Sequence, residues 1–173
     1  IVADGLKNKD YSFDKNGIHV NAKEFNKLLV NQNTITIDMR NHYESEIGHF
    51  EGANLPDVDS FRESLPIINE KFKKFKKTKN ILMYCTGGIR CEKASAYMIK
   101  NGYKNVYQLE GGIIEYLRKT KNKNQMWKGE CFVFDERITI NEKLEKGTYS
   151  QCFACRAALT QKEKKSKFFK QGI

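Results

Sequence analysis

An α/β fold, a parallel sheet with helices on both faces, follows from three observations on the sequence. Apolar or β-branched runs alternate with segments of helical periodicity between residues 18 and 120, the pattern of a sheet assembled from β-α-β units. One such run, Ile81-Leu82-Met83-Tyr84, opens through a cysteine and two glycines onto an alanine-containing helical segment. That puts a polar loop at the carboxyl end of a strand, where open α/β sheets place their ligand crevices. The length, 173 residues, holds one core of ordinary size plus an appendage. Residues 1–17 are accordingly read as an N-terminal remnant or linker and 18–124 as the α/β domain. Residues 125–173 form a small cysteine-containing C-terminal extension, expected to be truncated.

The first strand is expected at Ile18-His19-Val20. Asn21 then caps a helix, with Glu24 three positions on as its reciprocal partner and Phe25, Leu28 and Leu29 as the apolar face. Thr34 to Asp38 reads as a core strand because its β-branched residues alternate. After Asp38-Met39-Arg40, Asn41 caps a short helix toward Ile47, closed by a turn at Gly48. Phe61, Leu65, Ile68, Phe72 and Phe75 recur at spacings of four and three, an amphipathic helical region that Pro66 restarts or kinks. Six lysines between Lys71 and Lys79 occupy its other face. Beyond the strand over 81–84, a helix from about 90 to 101 stops at Gly102, a strand spans Asn105 to Leu109, and another helix follows Gly112. Residues 118–128 are basic and poor in apolar side chains and read as a linker. Residues 131–140 alternate like a strand, and 151–173 form a lysine-rich tail with little to bury.

The segment Cys85-Thr86-Gly87-Gly88-Ile89-Arg90 carries the chemistry. A cysteine between a strand end and a helix N-terminus has backbone N–H groups and a positive helix end aimed at its sulfur. A free thiol, of pKa ~8.5, is mostly protonated at neutral pH. These fields, with the cation of Arg90 at the rim, lower that value and make Cys85 a nucleophile. Gly87 and Gly88 let the loop curl and take positive φ. The sulfur is expected to be ionised and open to solvent. Cys91, in the first turn of the helix, is either a thiol that resolves an oxidised Cys85 through a disulfide or a packing cysteine. Asp38 and Arg40 are expected to form an ion pair that supports the loop, and His49 a local backbone hydrogen bond. No metal is assigned in the domain. Cys152 and Cys155 have half of a zinc-ribbon spacing, so zinc in the extension needs Cys131 or further ligands to close the site.

Four landmarks occur in order: Asp38-Met39-Arg40, Gly48-His49-Phe50-Glu51-Gly52-Ala53, the cysteine loop, and Leu109-Glu110-Gly111-Gly112-Ile113. Together they resemble the rhodanese domain. The longer strings Tyr84-Cys85-Thr86-Gly87-Gly88-Ile89-Arg90-Cys91-Glu92-Lys93-Ala94-Ser95-Ala96, Gly111-Gly112-Ile113-Ile114-Glu115-Tyr116 and Gly129-Glu130-Cys131-Phe132-Val133-Phe134-Asp135-Glu136-Arg137 resemble the bacterial tRNA uridine hydroxylase family that carries such a domain. The resemblance implies a rhodanese-like sheet and an enzyme that converts the wobble uridine of certain tRNAs to 5-hydroxyuridine with molecular oxygen. It thereby implies tRNA as partner and oxygen as co-substrate, with any further cofactor unassigned. It also implies an additional N-terminal domain and a longer cysteine-containing tail, neither of which this sequence represents. The six-residue loop resembles that of sulfurtransferase rhodaneses, whereas phosphatases of the same fold have a longer one. The alternative is therefore a sulfurtransferase working through a Cys85 persulfide. A third reading, a noncatalytic rhodanese-like module, is weighed against by the presence of Cys85 and Arg90.

Charge and composition fit an RNA partner without naming it. Thirty-one basic against 21 acidic side chains give +10, which attracts polyanions in a salt-sensitive way. Arg90, Arg118 and Lys119 near the crevice and Lys162, Lys164 and Lys165 in the tail are the candidate RNA contacts. The lysines of 71–79 read as a solvated helix face. Trp127, Tyr116 and Phe134 are candidates for stacking on a splayed base, with Phe134 read more readily as core. Five cysteines, an odd count, with no apolar leader fit reduced thiols in the cytoplasm, and no run approaches the ~20 apolar residues of a membrane span. The oligomeric state is left open. The three histidines all precede Phe50, and neither an iron-type His-carboxylate cluster nor a dinucleotide fingerprint is present. For oxygen chemistry, Cys85 is expected to add to C6 of uracil, or to be oxidised first to a reactive sulfur species, leaving C5 to accept oxygen.

Overall fold

The computed structural model describes residues 15–121, 123–152, 154 and 157–170. In chain order the elements are β1 (Ile18–Val20), α1 (Ala22–Leu29), β2 (Thr34–Asp38), α2 (His42–Ser45), β3 (Gly48–Phe50), α3 (Phe61–Phe72), β4 (Asn80–Tyr84) and α4 (Ile89–Lys100). There follow β5 (Asn105–Leu109), α5 (Gly112–Thr120), β6 (Trp127–Gly129), β7 (Cys131–Phe132), β8 (Thr139–Ile140), β9 (Ser150–Gln151), β10 (Ala158–Leu159) and α6 (Gln161–Lys164). The central sheet is parallel with strand order β1-β5-β4-β2. No helix among the described residues is long and apolar enough to cross a membrane.

Alternation along β4 builds both layers of core. Ile81, Met83 and Cys85 face Phe61, Leu65 and Ile68 of α3 and Ala94 and Met98 of α4. Leu82 and Tyr84 face the opposite way, toward Phe25 of α1 and Ile113 and Leu117 of α5. A strand covered on both faces must be apolar throughout, and 81–84 is. Helix α1 starts as expected: Asn21 Oδ1 accepts from the amides of Lys23 and Glu24, and the Glu24 carboxylate accepts from the amide of Asn21.

Several local expectations are corrected. Gly48 does not close a turn. It begins β3, which pairs antiparallel with β6, so closely that a Cβ on Gly48 would lie 2.3 Å from the Glu130 carbonyl oxygen. Residues 118–128 are therefore not a linker, since α5 runs to Thr120 and β6 begins at Trp127. Trp127 is buried against Phe50 with ring centroids 5.1 Å apart. Helix α3 is not restarted at Pro66 but continues through it. Its buried Phe61, Leu65, Ile68 and Phe72 outweigh a proline cost of about 3 kcal/mol. Residues 131–140 fold back as the hairpin β7–β8 rather than as one strand, with the Arg137 amide donating to Asp135 Oδ1 in the turn. The tail forms the short hairpin β9–β10 and the exposed α6. Residues 1–14 and Cys155 lie outside the described residues.

Candidate active site

The carboxyl edge of the sheet carries the cysteine loop, between the end of β4 at Tyr84 and the start of α4 at Ile89. Gly88 caps α4 with φ +91° and donates its amide to Cys85 Sγ at 3.2 Å. Gly87 has open space where a Cβ would stand, so of the two glycines it is Gly88 that needs the left-handed conformation. Ile89, 66% exposed, stands on the rim.

The loop is anchored from behind by α5. The amides of Ile113 and Ile114 donate to the carbonyls of Cys85 and Thr86 at 3.0 and 3.2 Å, so the first free N–H groups of that helix are used as loop clamps. Gly112, at φ +66°, admits the contact: a Cβ there would sit 2.6 Å from both carbonyl oxygens. This is the physical reason for the glycine pair that opens the last helix.

Cys85 is held as a thiolate, its pKa lowered to about 6. The largest cause is a hydrogen bond from the Cys91 thiol; burial opposes it, and the Arg90 charge and the amides of Cys91 and Arg90 assist. Cys91 is fully buried and its own pKa is driven up, first by that burial and then by the neighbouring thiolate. Neither cysteine is in a disulfide. Two expectations change. The thiol of Cys91, rather than the helix end or Arg90, is the leading cause of ionisation. The sulfur is not open to solvent either, since Cys85 is 1% exposed and packs in the α3–α4 core.

Arg90 is buried and paired rather than a free cation at the rim. Its guanidinium makes a fork–fork contact with Glu44, Nη1 to Oε2 at 2.6 Å and Nη2 to Oε1 at 2.8 Å, and Nη2 also reaches Thr86 Oγ1 at 3.3 Å. Burial alone disfavours the cation, and the Glu44 carboxylate overrides it. Glu44 was missed in the sequence. It sits three residues after Asn41 and accepts that residue's amide at 3.1 Å, so one carboxylate closes the α2 capping box and holds the loop arginine. The Asn-x-x-Glu spacing was the available signal.

Asp38 and Arg40 form a second buried pair, both side chains 0% exposed. Arg40 also donates to the carbonyls of Glu44 and Gly48, and its Cζ lies 5.1 Å from the Trp127 ring centroid. The pair thereby ties β2 to α2 and β3 beneath the loop. His49 Nδ1 donates to the Ser45 carbonyl at 2.9 Å.

The aromatic candidates separate. Trp127 and Tyr116 are buried, whereas Phe134, read as core, is 69% exposed. Its ring lies 5.1 Å from that of Phe132 and 6.0 Å from Arg90 Cζ. The β7–β8 hairpin turns at 135–138, carrying Phe134 outward beside the loop. Arg118 and Lys119 are exposed on α5 and paired with Glu115. Lys162, Lys164 and Lys165 are exposed around α6. The lysines of 71–79 precede β4 and so lie at the amino edge of the sheet, a strand length from the cysteine.

Among the described residues no group of three or more His, Cys, Asp or Glu side chains is placed to hold a metal ion. Burial pushes the Cys131 thiol up to about 12, with Arg40, Glu44 and Asp38 close enough to act on it. Cys152 is buried, and its proposed partner Cys155 lies outside the described residues.

The family model of the rhodanese-like domain matches residues 21–119. A protein of Pelagibacter ubique named tRNA uridine(34) hydroxylase is 48% identical over 162 residues, 94% of this chain and 52% of the relative. One of Prochlorococcus marinus with the same name is 42% identical over 163 residues, 92% of this chain and 53% of the relative. The chain spans about half the length of the curated relatives it matches. Among solved structures, a rhodanese-like domain from Anabaena aligns with a TM-score of 0.50 at 17% identity, over 64% of this chain and 78% of that one. A single-domain sulfurtransferase of Saccharomyces cerevisiae aligns with a TM-score of 0.50 at 20% identity, over 64% and 97%. At these identities the likeness is one of fold.

Proposed function

The chain belongs to the rhodanese-like domain family, and from that premise we propose that it is the cysteine-bearing part of a cytoplasmic tRNA uridine(34) hydroxylase. The observation that carries this is the reach of the match to the hydroxylases. It covers 94% of the chain, well past the rhodanese-like region of 21–119 and through the β6–β8 extension that supplies Trp127, Cys131 and Phe134.

In this reading Cys85 is the nucleophile. Its thiolate adds to C6 of the uracil and moves the C5–C6 π electrons toward C5, where molecular oxygen adds. A two-electron donor of the thiol class reduces the peroxy oxygen to water. Loss of the C5 proton then expels Cys85 and restores the double bond. Uridine, oxygen, two electrons and two protons thus give 5-hydroxyuridine and water. Cys91 keeps Cys85 ionised and, should Cys85 be oxidised to the sulfenic acid, condenses with it to a disulfide and water. Gly87, exposed and with free space around it, is where the loop yields to let a base reach the inward-facing sulfur. Phe134 offers that base a stacking surface.

The sulfurtransferase alternative shares the thiolate and its amides, and its support is the length of the loop and a likeness of fold at 20% identity, so it is not favoured. Mass spectrometry of tRNA nucleosides from host cells with and without the gene tests the proposal. Wild type is expected to restore 5-hydroxyuridine and Cys85→Ala not to; unchanged 5-hydroxyuridine in the deletion strain sinks it.

A further inference from the structure

A cavity of about 1270 Å³ opens beside the cysteine loop at the carboxyl edge of the sheet. It exceeds the ~300–1,000 Å³ of small-molecule sites. Its walls are the segments that leave three adjacent strands: the start of α1 after β1, Gly87 after β4, and Gly111 with α5 after β5. Five cations line it, Lys23, Arg118, Lys119, Lys121 and Lys123, against two carboxylates, Glu110 and Glu115. Arg118 and Lys119 are engaged by Glu115. Lys23, Lys121 and Lys123 have no acidic partner within ion-pair distance among the described residues, and all three are exposed.

The cleft is also braced. The Tyr116 hydroxyl donates to Asn26 Oδ1 at 2.8 Å and accepts from the Met126 amide at 2.8 Å, and Asn26 Nδ2 donates to the Asn124 carbonyl at 2.7 Å. These bonds cross-tie α1, α5 and the segment before β6. Because α5 clamps the carbonyls of Cys85 and Thr86, whatever lies in the cleft is held in fixed register with the sulfur. A braced site with surplus positive charge, with Gly87 of the cysteine loop in its wall, matches a single strand whose phosphates must be gripped while one base is delivered.

We propose that this cleft seats the phosphate backbone of a single-stranded RNA segment, so that the nucleotide leaving it at Gly87 is presented to Cys85. The inference rests on the tRNA reading and deepens it by assigning the strand's path. Lys23, Lys121 and Lys123 are positioning residues, since they act on the backbone rather than on the reacting base.

The test is the salt dependence of binding of an anticodon stem-loop RNA to the full chain, followed by fluorescence anisotropy between about 50 and 200 mM salt. The triple variant Lys23→Ala, Lys121→Ala, Lys123→Ala is expected to bind at least about tenfold more weakly at the low-salt end. The slope of log affinity against log salt should fall by about 2, at roughly 0.7 per lost phosphate contact on a single strand. The comparison triple Lys71→Ala, Lys74→Ala, Lys77→Ala at the amino edge removes the same charge and is expected to leave the slope within experimental error. Thermal melts of both triples keep folding out of the comparison. Equal slopes for the two triples, or a cleft triple indistinguishable from wild type, overturn the assignment. Loss of cellular 5-hydroxyuridine on deletion, with rescue requiring Cys85, then leaves the tRNA reading standing. A wild-type chain that binds no RNA and a deletion strain with unchanged 5-hydroxyuridine overturn both.

Discussion

Replacing Cys91 by alanine removes the largest influence that keeps Cys85 ionised. Hydrogen bonds to charged groups contribute about 1.5–3 kcal/mol, which is roughly ten- to a hundredfold in the ionisation constant at ~1.4 kcal/mol per decade. Cys85, with its pKa at about 6, is about half thiolate at pH 6, and the variant should retain between about a tenth and a hundredth. The alkylation rate of the Cys85 peptide by a small haloacetamide, followed by mass spectrometry across pH 5 to 9, reads this directly. At pH 6 it should fall about five- to fiftyfold, while Cys91→Ser, which keeps a donor, should hold most of the wild-type rate. The sign for stability follows from the same shift. The folded thiol ionises near 6 and the unfolded one near ~8.5, so between those values the unfolded chain binds the extra proton. Stability therefore rises with pH there, by up to ~1.4 kcal/mol per pH unit, and is lost as pH falls through about 6. Cys91→Ala should flatten that rise. An alkylation midpoint still near 6 in the alanine variant, or a serine variant as impaired as alanine, would refute the assignment of the hydrogen bond.

Two further outcomes concern the frame around the sulfur. Glu44→Ala leaves the buried Arg90 guanidinium without its counter-charge and should cost about 3–5 kcal/mol in denaturant unfolding. The double variant Glu44→Leu, Arg90→Met should recover much of that, and a double variant no more stable than the single one would show that the pair is not what the alanine removes. Gly112→Ala forces a non-glycine residue into positive φ, at ~1–2 kcal/mol, and drives its Cβ onto the Cys85 and Thr86 carbonyls. We expect a loss above about 2 kcal/mol together with a displaced Cys85 alkylation midpoint. Wild-type values for both would mean that α5 does not clamp the loop.

Local pattern was sufficient for the sheet and its helices because their causes are local. The apolar run over 81–84, the Asn21–Glu24 cap and the Gly102 stop each act within a turn or a strand, and β1, α1, β2, β4, α4 and β5 stand where those signals put them. The cysteine loop was legible for the same reason, since a strand, a left-handed glycine and a helix start are neighbours in sequence. The β3–β6 pairing was not. Its partners are some eighty residues apart, and Gly48 and Gly129 carry turn chemistry when read alone.

What the amino-acid order determined by itself was an α/β sheet, a cysteine loop between a strand end and a helix start, and an ion pair at Asp38 and Arg40. Tertiary packing alone decided which neighbour ionises that cysteine, that Arg90 is neutralised by Glu44, and that Phe134 faces outward while Trp127 and Tyr116 turn in. The reason is physical. Electrostatic and burial terms depend on distance through space and on exclusion of water, and these are properties of the assembled layers that no spacing along the chain encodes.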